Sequence, residues 1–362
     1  MRSKFAFLMH PRNTVRSDMG LLLGAPFALV PDRVYLEAFR RFPVKPVLTG
    51  RMTYRDTPAE TTGLIYTVPF TPDQLLGLPR QKVRARINLA LDMARDAGAT
   101  VIGLGALTAP VCNGGKALVE RDDIGITNGN AYTAAMTLQG IERLLLRLPS
   151  DPLVAFVGAS GSVGSCLSKL YARKHGGRVL LVARNRGRLE KLAGEIARDD
   201  LEVTVSTEMD DVREADLIVL LTSATEALLR SEHLKHGAVV LDDTVPRNTD
   251  IRLLAERPDV TIVDGGLVEI PGVDLKGTIG LPPNLAYACL AETMLLALEG
   301  HTGHFAIGNA SVDQALRMLE LAEKHREHGF NLAPFRSFGR LLDTGSAETS
   351  DAEGEGARSW AA

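Results

Sequence analysis

Apolar residues follow two rhythms along this chain: short continuous runs, and stretches in which they recur every three or four positions. In the first 150 residues "KFAFLMH", "KPVLTGRMTYR", "TGLIYTVPF" and "ATVIGLGAL" are runs of the strand type. "RQKVRARINLALDMARDAG" has helical spacing and stops at a glycine, and "AYTAAMTLQGIERLLLRL" (131–148) is a second helix. From 151 to 266 the alternation is regular, with strands "LVAFVG", "RVLLVAR", "LEVTVST", "ADLIVLLTS", "AVVLDD" and "VTIVDGG". Continuous apolar strands separated by helices predict a parallel sheet covered on both faces. After Pro282 and Pro283 the spacing predicts helices over 284–299 and 311–328, packed back on the N-terminal region and the cleft. Within the first, "LAYACLAETMLLALEG" (285–300) reads as one apolar helix with Glu292 and Glu299 as its charged stripe.

Composition narrows the picture. The 362 residues are 45% hydrophobic, enough for a sizeable core and a length that suggests two domains. The net charge is -3 with both signs interspersed, which gives nucleic-acid binding no support. Cys112, Cys166 and Cys289 lie far apart, a pattern that fits a reducing cytoplasm and neither a disulfide framework nor a cysteine zinc site. "MRSKFAFLMHPRN" is too short in its apolar part for a signal peptide and reads as a first strand. "GLLLGAPFALV" (20–30) is broken by Gly24 and Pro26, so it cannot span a bilayer. It is expected to be a buried loop or core segment; the other reading is a greasy pocket wall or a peripheral membrane contact.

"LVAFVGASGSVGSCLSKLYARK" sets Gly158, Gly161 and Gly164 between an apolar strand and an amphipathic helix, with a second strand on schedule. The first glycine permits the tight turn, the second lets backbone approach a pyrophosphate, and the third allows close helix–strand packing. Phosphates then meet the positive end of the helix. Gly158, Ser160, Gly161, Ser162, Val163 and Gly164 are therefore expected to cradle a dinucleotide, with Thr222 and Ser223 of "LLTSAT" on its nicotinamide side. The second strand ends in "LLVARNRGRLEKL", where an NAD site would carry an acid. Arg184, Asn185 and Arg188 instead suit a 2′-phosphate, so the expected cofactor is NADPH.

A Tyr four residues before a Lys, as short-chain dehydrogenases require, is absent. The pairs His301/His304 and His325/His328 lack a completing acid pattern, so no metal site is expected. Two enzymatic readings remain. In one, Cys289 is a nucleophile near a helix N-terminus, where the dipole favours a thiolate; an acyl thioester transfers to it and hydride releases an aldehyde. By composition alone Cys289 between alanines, like Cys166, reads as small core filler, and Cys112 in its Gly-rich loop is a second nucleophile candidate. In the other, the chain resembles the shikimate-dehydrogenase-like two-domain reductases, with Lys116 of "NGGKALVE" moving a proton and no covalent step.

Three segments give a more particular likeness. "GLGALTAPVCNGG" leading to "ITNGNAYTA", "VAFVGASGSVGSCLSKL" with "LLVARNRGRLEKL", and "AYACLAETMLLALEGH" with "HFAIGNASVD" and "HGFNLAPF" resemble the long-chain fatty acyl-[acyl-carrier-protein] reductases, the aldehyde-forming enzymes of cyanobacteria. The likeness runs over roughly residues 95 to 335. It implies Cys289 as the acylated nucleophile. It aligns Thr127, Gly129, Asn130 and Thr133 with a threonine–glycine–asparagine motif at the substrate cleft, and Glu292 also fits. It implies an acyl thioester as substrate, on an acyl carrier protein or coenzyme A. The expected architecture is α/β: an N-terminal α/β domain (1–150) for substrate and catalysis, a Rossmann-type NADP(H) domain (151–275), and closing C-terminal helices (281–335). The small, polar tail 343–362 is expected to be disordered.

Overall fold

The computed structural model describes residues 4–11, 15–55 and 62–342; the 343–362 tail lies outside the described residues. In chain order the helices are α1 Val15–Leu23, α2 Asp32–Arg41, α3 Pro72–Gly77, α4 Arg80–Asp96, α5 Thr108–Val111, α6 Asn130–Leu145, α7 Ser162–Lys174, α8 Arg186–Ile196, α9 Leu253–Glu256, α10 Ala288–Leu298 and α11 Val312–Lys324. The strands are β1 Lys4–Met9, β2 Val47–Tyr54, β3 Gly63–Thr67, β4 Ala99–Leu104, β5 Gly125–Thr127, β6 Leu153–Val157, β7 Gly177–Val182 and β8 Leu201–Ser206. They continue with β9 Leu217–Leu220, β10 Val239–Asp242, β11 Thr261–Asp264, β12 Leu267–Glu269, β13 Val273–Gly277, β14 Leu285–Tyr287 and β15 Asn331–Leu332.

Two six-stranded sheets result. The second has the order β8-β7-β6-β9-β10-β11, all parallel, which is the doubly wound Rossmann arrangement expected from the regular alternation after residue 151. The first has the order β13-β2-β3-β1-β4-β5, with β2 and β13 antiparallel at one edge. Its edge strand β13 comes from residues 273–277, so the chain leaves the Rossmann sheet and returns to complete the N-terminal one. The period of two along β1 explains the layers. Phe5 and Phe7 enter the core shared with α6, α7, α10 and α11, while Ala6 and Leu8 enter the core under α4. Helix α10 packs on β4, β1 and α6; α6 reaches α7 and β10; α11 lies on α6 and α7. A helical layer is thus held between the sheets.

Three expectations are corrected. Residues 285–300 do not form one helix: Leu285–Tyr287 pair antiparallel with β12, and the helix begins at Ala288. The last helix ends at Lys324 and is followed by a separate 3-10 turn, Arg326–His328. The later part of the "GLLLGAPFALV" segment is not core: Ala25–Leu29 form a 3-10 turn with no buried residue, and Leu29 is 84% exposed. Among the described residues no helix is long and apolar enough to cross a membrane.

Candidate active site

The β14 pairing decides where Cys289 sits. Because the extended chain runs to Tyr287, the N-cap of α10, Cys289 is the second residue of that helix. The Ala288 amide donates to the Gly266 carbonyl (2.8 Å), fixing the helix start against the end of the Rossmann sheet. On the other side Gly129, the N-cap of α6, touches Cys289. Gly129 has φ +77°, and a Cβ there would run into the Cβ of Cys289. Glycine is needed here both for the left-handed backbone and for the close approach. The thiol is half-buried between two helix N-termini.

Those N-termini do not leave the thiol acidic. Burial pushes it up to about 12, and the carboxyls of Glu292 and Asp243 act in the same direction, against the lowering by the Leu290 and Cys289 amides. The sequence-based expectation of a dipole-stabilised resting thiolate is therefore corrected. Burial, reinforced by two nearby carboxyl groups, outweighs the helix end.

Glu292 is wholly buried and is not part of a solvent-facing stripe. One carboxyl oxygen accepts from the Thr127 hydroxyl and the other from the Tyr132 amide (2.8 Å), the third residue of α6. The Thr127 hydroxyl in turn accepts from the Ala306 amide (3.3 Å). Glu292 thus caps α6 from another helix and seats the Gly129 turn against Cys289. Burial holds its carboxyl up to about 7 despite these donors. Thr127 and Glu292 build the site from behind. The remaining α10 residues, Leu290 to Ala297, are packed core and form no open shelter for an acyl chain.

The residue that the sequence reading missed is Asp243, directly after β10 and half-buried. Its Oδ2 lies 2.6 Å from the Thr137 hydroxyl on α6, and Gly266 closes on its other oxygen, where a Cβ would collide. Burial, reinforced by Asp242, pushes its carboxyl up to about 7, against the Thr137 hydrogen bond. The available signal was positional: ligands of doubly wound sheets meet the carboxyl ends of the strands. Asp242, by contrast, is buried and organises the following loop through Thr244, Asn248 and Thr249.

The glycine loop fits a dinucleotide. Gly158 has φ +92°, and a Cβ there would lie 2.8 Å from the Leu221 backbone; one at Gly164 would lie 2.5 Å from the Gly158 carbonyl. At Gly161, the exposed N-cap of α7, the nearest atom would be 3.1 Å away, leaving an open approach to the first amides of the helix, including those of Ser162 and Val163. Ser160 is half-buried in the same turn. The Ser162 hydroxyl is already engaged, donating to the Gly308 carbonyl (2.8 Å) and accepting from the Ala310 amide (3.1 Å). Asn128 also donates to the Gly308 carbonyl (2.9 Å), so one C-terminal turn ties the N-terminal sheet to the glycine loop. Arg184 and Arg188 are exposed beyond β7, and Asn185 caps α8 by accepting from the Arg188 amide (2.9 Å). Thr222 binds Asn248 and accepts from the Ala224 amide (3.1 Å), while Ser223 is exposed.

The other candidates separate. Asn130 and Thr133 are half-buried on the first turn of α6, beside Gly129, and the Thr133 hydroxyl donates to the Gly129 carbonyl (2.9 Å). Lys116 is exposed and its side chain lies along Gly308. Cys112 does not reach the cleft: it is fully buried under α4, and burial pushes its thiol up to about 11. Cys166 is buried and points to the Ser311 carbonyl (3.4 Å). His304 accepts from the Ile126 amide (3.2 Å) and His325 meets Glu299 (2.6 Å), so both act as structural ties.

Among known proteins, the shikimate/quinate 5-dehydrogenase family model matches residues 148–264, the Rossmann sheet. The chain is 28% identical to aminotransferase PigE of a Serratia species over 359 residues, 94% of this chain and 41% of that protein. It is 29% identical to the long-chain acyl-[acyl-carrier-protein] reductase of Synechococcus elongatus over 214 residues, 56% of this chain and 61% of that one. It therefore spans less than two thirds of either relative. Among solved structures it is similar to a dipicolinate synthase chain from Bacillus halodurans, with 18% identity, TM-score 0.32, and 51% of this chain and 61% of that one covered. It is also similar to the nucleotide-binding domain of a glutamyl-tRNA reductase from Thermoplasma volcanium, with 15% identity, TM-score 0.27, and 36% and 84% covered. The fold is that of an NAD(P)-binding oxidoreductase, with homology to a long-chain acyl-[acyl-carrier-protein] reductase over about half its length.

Proposed function

We propose that the protein reduces a fatty acyl thioester, carried by an acyl carrier protein or coenzyme A, to the aldehyde with NADPH. The observation that carries this reading is the seat of Cys289: second residue of α10, against the glycine turn of α6, at the carboxyl end of the Rossmann sheet. Sγ attacks the acyl carbon, the carrier thiol leaves, and the acyl group is held as a thioester on the enzyme. The dinucleotide, when bound, supplies the hydride. The amides of Cys289 and Leu290, at the start of α10 beside the thiol, would stabilise negative charge developing on the carbonyl oxygen, whereas the first amides of α6 are taken by Glu292 and Asn128. The likeness to the Synechococcus enzyme supports the substrate class. The alternative, proton transfer by Lys116 without a covalent step, has less support, since Lys116 is exposed and laid along Gly308.

Incubation with a long-chain acyl-coenzyme A should add one acyl mass, mapped to Cys289, which NADPH discharges as aldehyde. An adduct on another residue, or none with either carrier, defeats the reading. The choice of NADPH rests on Arg184 and Arg188, exposed after β7 where no acid stands. Replacing both by alanine should weaken NADPH binding by about 10- to 100-fold, the equivalent of losing one or two charge-assisted hydrogen bonds, and leave NADH binding unchanged. Equal losses for both dinucleotides, read by fluorescence titration, would refute the 2′-phosphate role.

A further inference from the structure

A thiol at rest needs a group to take its proton, and the site offers two carboxyls. Glu292 is committed: its two oxygens accept from Thr127 and from the α6 backbone, behind the thiol. Asp243 is differently held. Its Oδ2 is 2.6 Å from the Thr137 hydroxyl, and that hydroxyl is also 2.7 Å from the Thr133 carbonyl. A hydroxyl has one proton and cannot donate to both. When Asp243 is ionised, Thr137 donates to it. When Asp243 is protonated, its O–H donates to Thr137, which turns its own proton to the Thr133 carbonyl. Both protonation states of Asp243 are therefore satisfied without moving a heavy atom, as suits a group that gains and loses a proton.

The position agrees. Asp243 follows β10 and contacts Gly266, whose carbonyl holds the amide of Ala288, the residue before Cys289. Asp242, its chain neighbour, raises its carboxyl, α6 presents Thr137 to it, and Cys289 on α10 feels the charges of both Asp243 and Glu292.

We propose that Asp243 is the proton acceptor for the Cys289 thiol during acyl transfer, and that Thr137 is its positioning residue. The proposal rests on the acyl-thioester reading above. As the bond from Sγ to the acyl carbon forms, the S–H bond breaks and the proton passes to the Asp243 carboxylate. As the bond from the acyl carbon to the carrier sulfur breaks, that proton passes to the departing thiolate. Thiol and acyl thioester become enzyme thioester and carrier thiol, with no change in oxidation state. The carboxyl, pushed up to about 7, is matched to exchange near neutrality.

The test is the rate of Cys289 acylation by octanoyl-coenzyme A, followed by intact mass without dinucleotide from pH 5 to 9. Wild type should rise to a plateau with its midpoint near 7. Asp243→Asn should lose the rise and be slower by about 100-fold at pH 7.5. If Asp243 were only a neighbouring charge, its removal would make the thiol more acidic, so an equal or faster rate in Asp243→Asn overturns the proposal. Thr137→Val removes a donor to the carboxylate and should move the midpoint to higher pH with Cys289 still acylated; an unmoved midpoint also overturns it. Failure of wild-type Cys289 to take any acyl group defeats the thioester reading itself, and this proposal with it. An adduct formed at the wild-type rate in Asp243→Asn defeats this proposal alone.

Discussion

Alanine in place of Cys289 is expected to lower acyl-thioester reduction by about 10⁴-fold or more, the scale on which removal of a covalent nucleophile acts. The fold should survive, because the site asks little of the thiol structurally. Cys289 is half-buried at the second position of α10, and alanine is a strong helix former. The contact that sets the geometry is between Gly129 and the Cβ of residue 289, which alanine keeps. The stability cost should stay at about 1 kcal/mol, the loss of one small half-buried group. NADPH affinity should be unchanged, since the glycine loop leads into a different helix, α7. Turnover of an acyl-coenzyme A, dinucleotide titration and thermal unfolding check the three statements. Activity within tenfold of wild type would exclude Cys289 as nucleophile.

Much of the frame is legible in the sequence because it depends on local rhythm. The inner Rossmann strands are largely continuous apolar runs, and Gly158, Gly161 and Gly164 meet constraints set within one turn. What is not legible depends on distant partners. Leu285–Tyr287 has the composition of the helix that follows, yet Leu285 and Ala286 pair with Glu269 and Val268, and only that pairing makes them extended. The strand Val273–Gly277 is short and largely polar, an edge strand whose partner, β2, lies more than 200 residues earlier. The exposed Phe27 and Leu29 carry no periodic signal of their own.

The site divides in the same way. The glycine loop is legible as a motif, whereas Cys289 reads as core filler by composition and stands out only through the family resemblance. Asp243 is not, because an acid after a strand is ordinary until Thr137, Gly266 and Cys289 surround it. Glu292 shows the opposite error. Helical spacing groups it with Glu299, but the two have different environments. Glu299 meets Lys324 and His325 near the surface, whereas Glu292 meets the start of α6 in the core. A helix wheel cannot know that a second helix ends against it.

That burial makes removal of the Glu292 side chain costly. Glu292→Ala would leave the Thr127 hydroxyl and the Tyr132 amide without their acceptor and open a cavity, at a cost of about 3–5 kcal/mol. Glu292→Gln keeps an acceptor for the amide and should cost far less. The pH dependence separates charge from shape. The carboxyl rises from 4.5 to about 7 on folding. Below 4.5 both folded and unfolded chains hold the proton, and the group does not bias the equilibrium. Between 4.5 and 7 the unfolded chain releases it while the folded chain retains it, so wild-type stability falls as pH rises. Above 7 both forms are ionised and the loss is complete, about 3 kcal/mol for this group. Glutamine has no such proton. Its deficit relative to wild type should therefore shrink steadily from pH 5 to pH 7.5 in denaturant unfolding. The Asp243 carboxyl is shifted by its burial, Thr137 and Asp242 rather than by Glu292, so the difference between the two proteins reports on Glu292. A deficit that stays constant with pH would mean that Glu292 folds already ionised, with the α6 amides and Thr127 outweighing its burial.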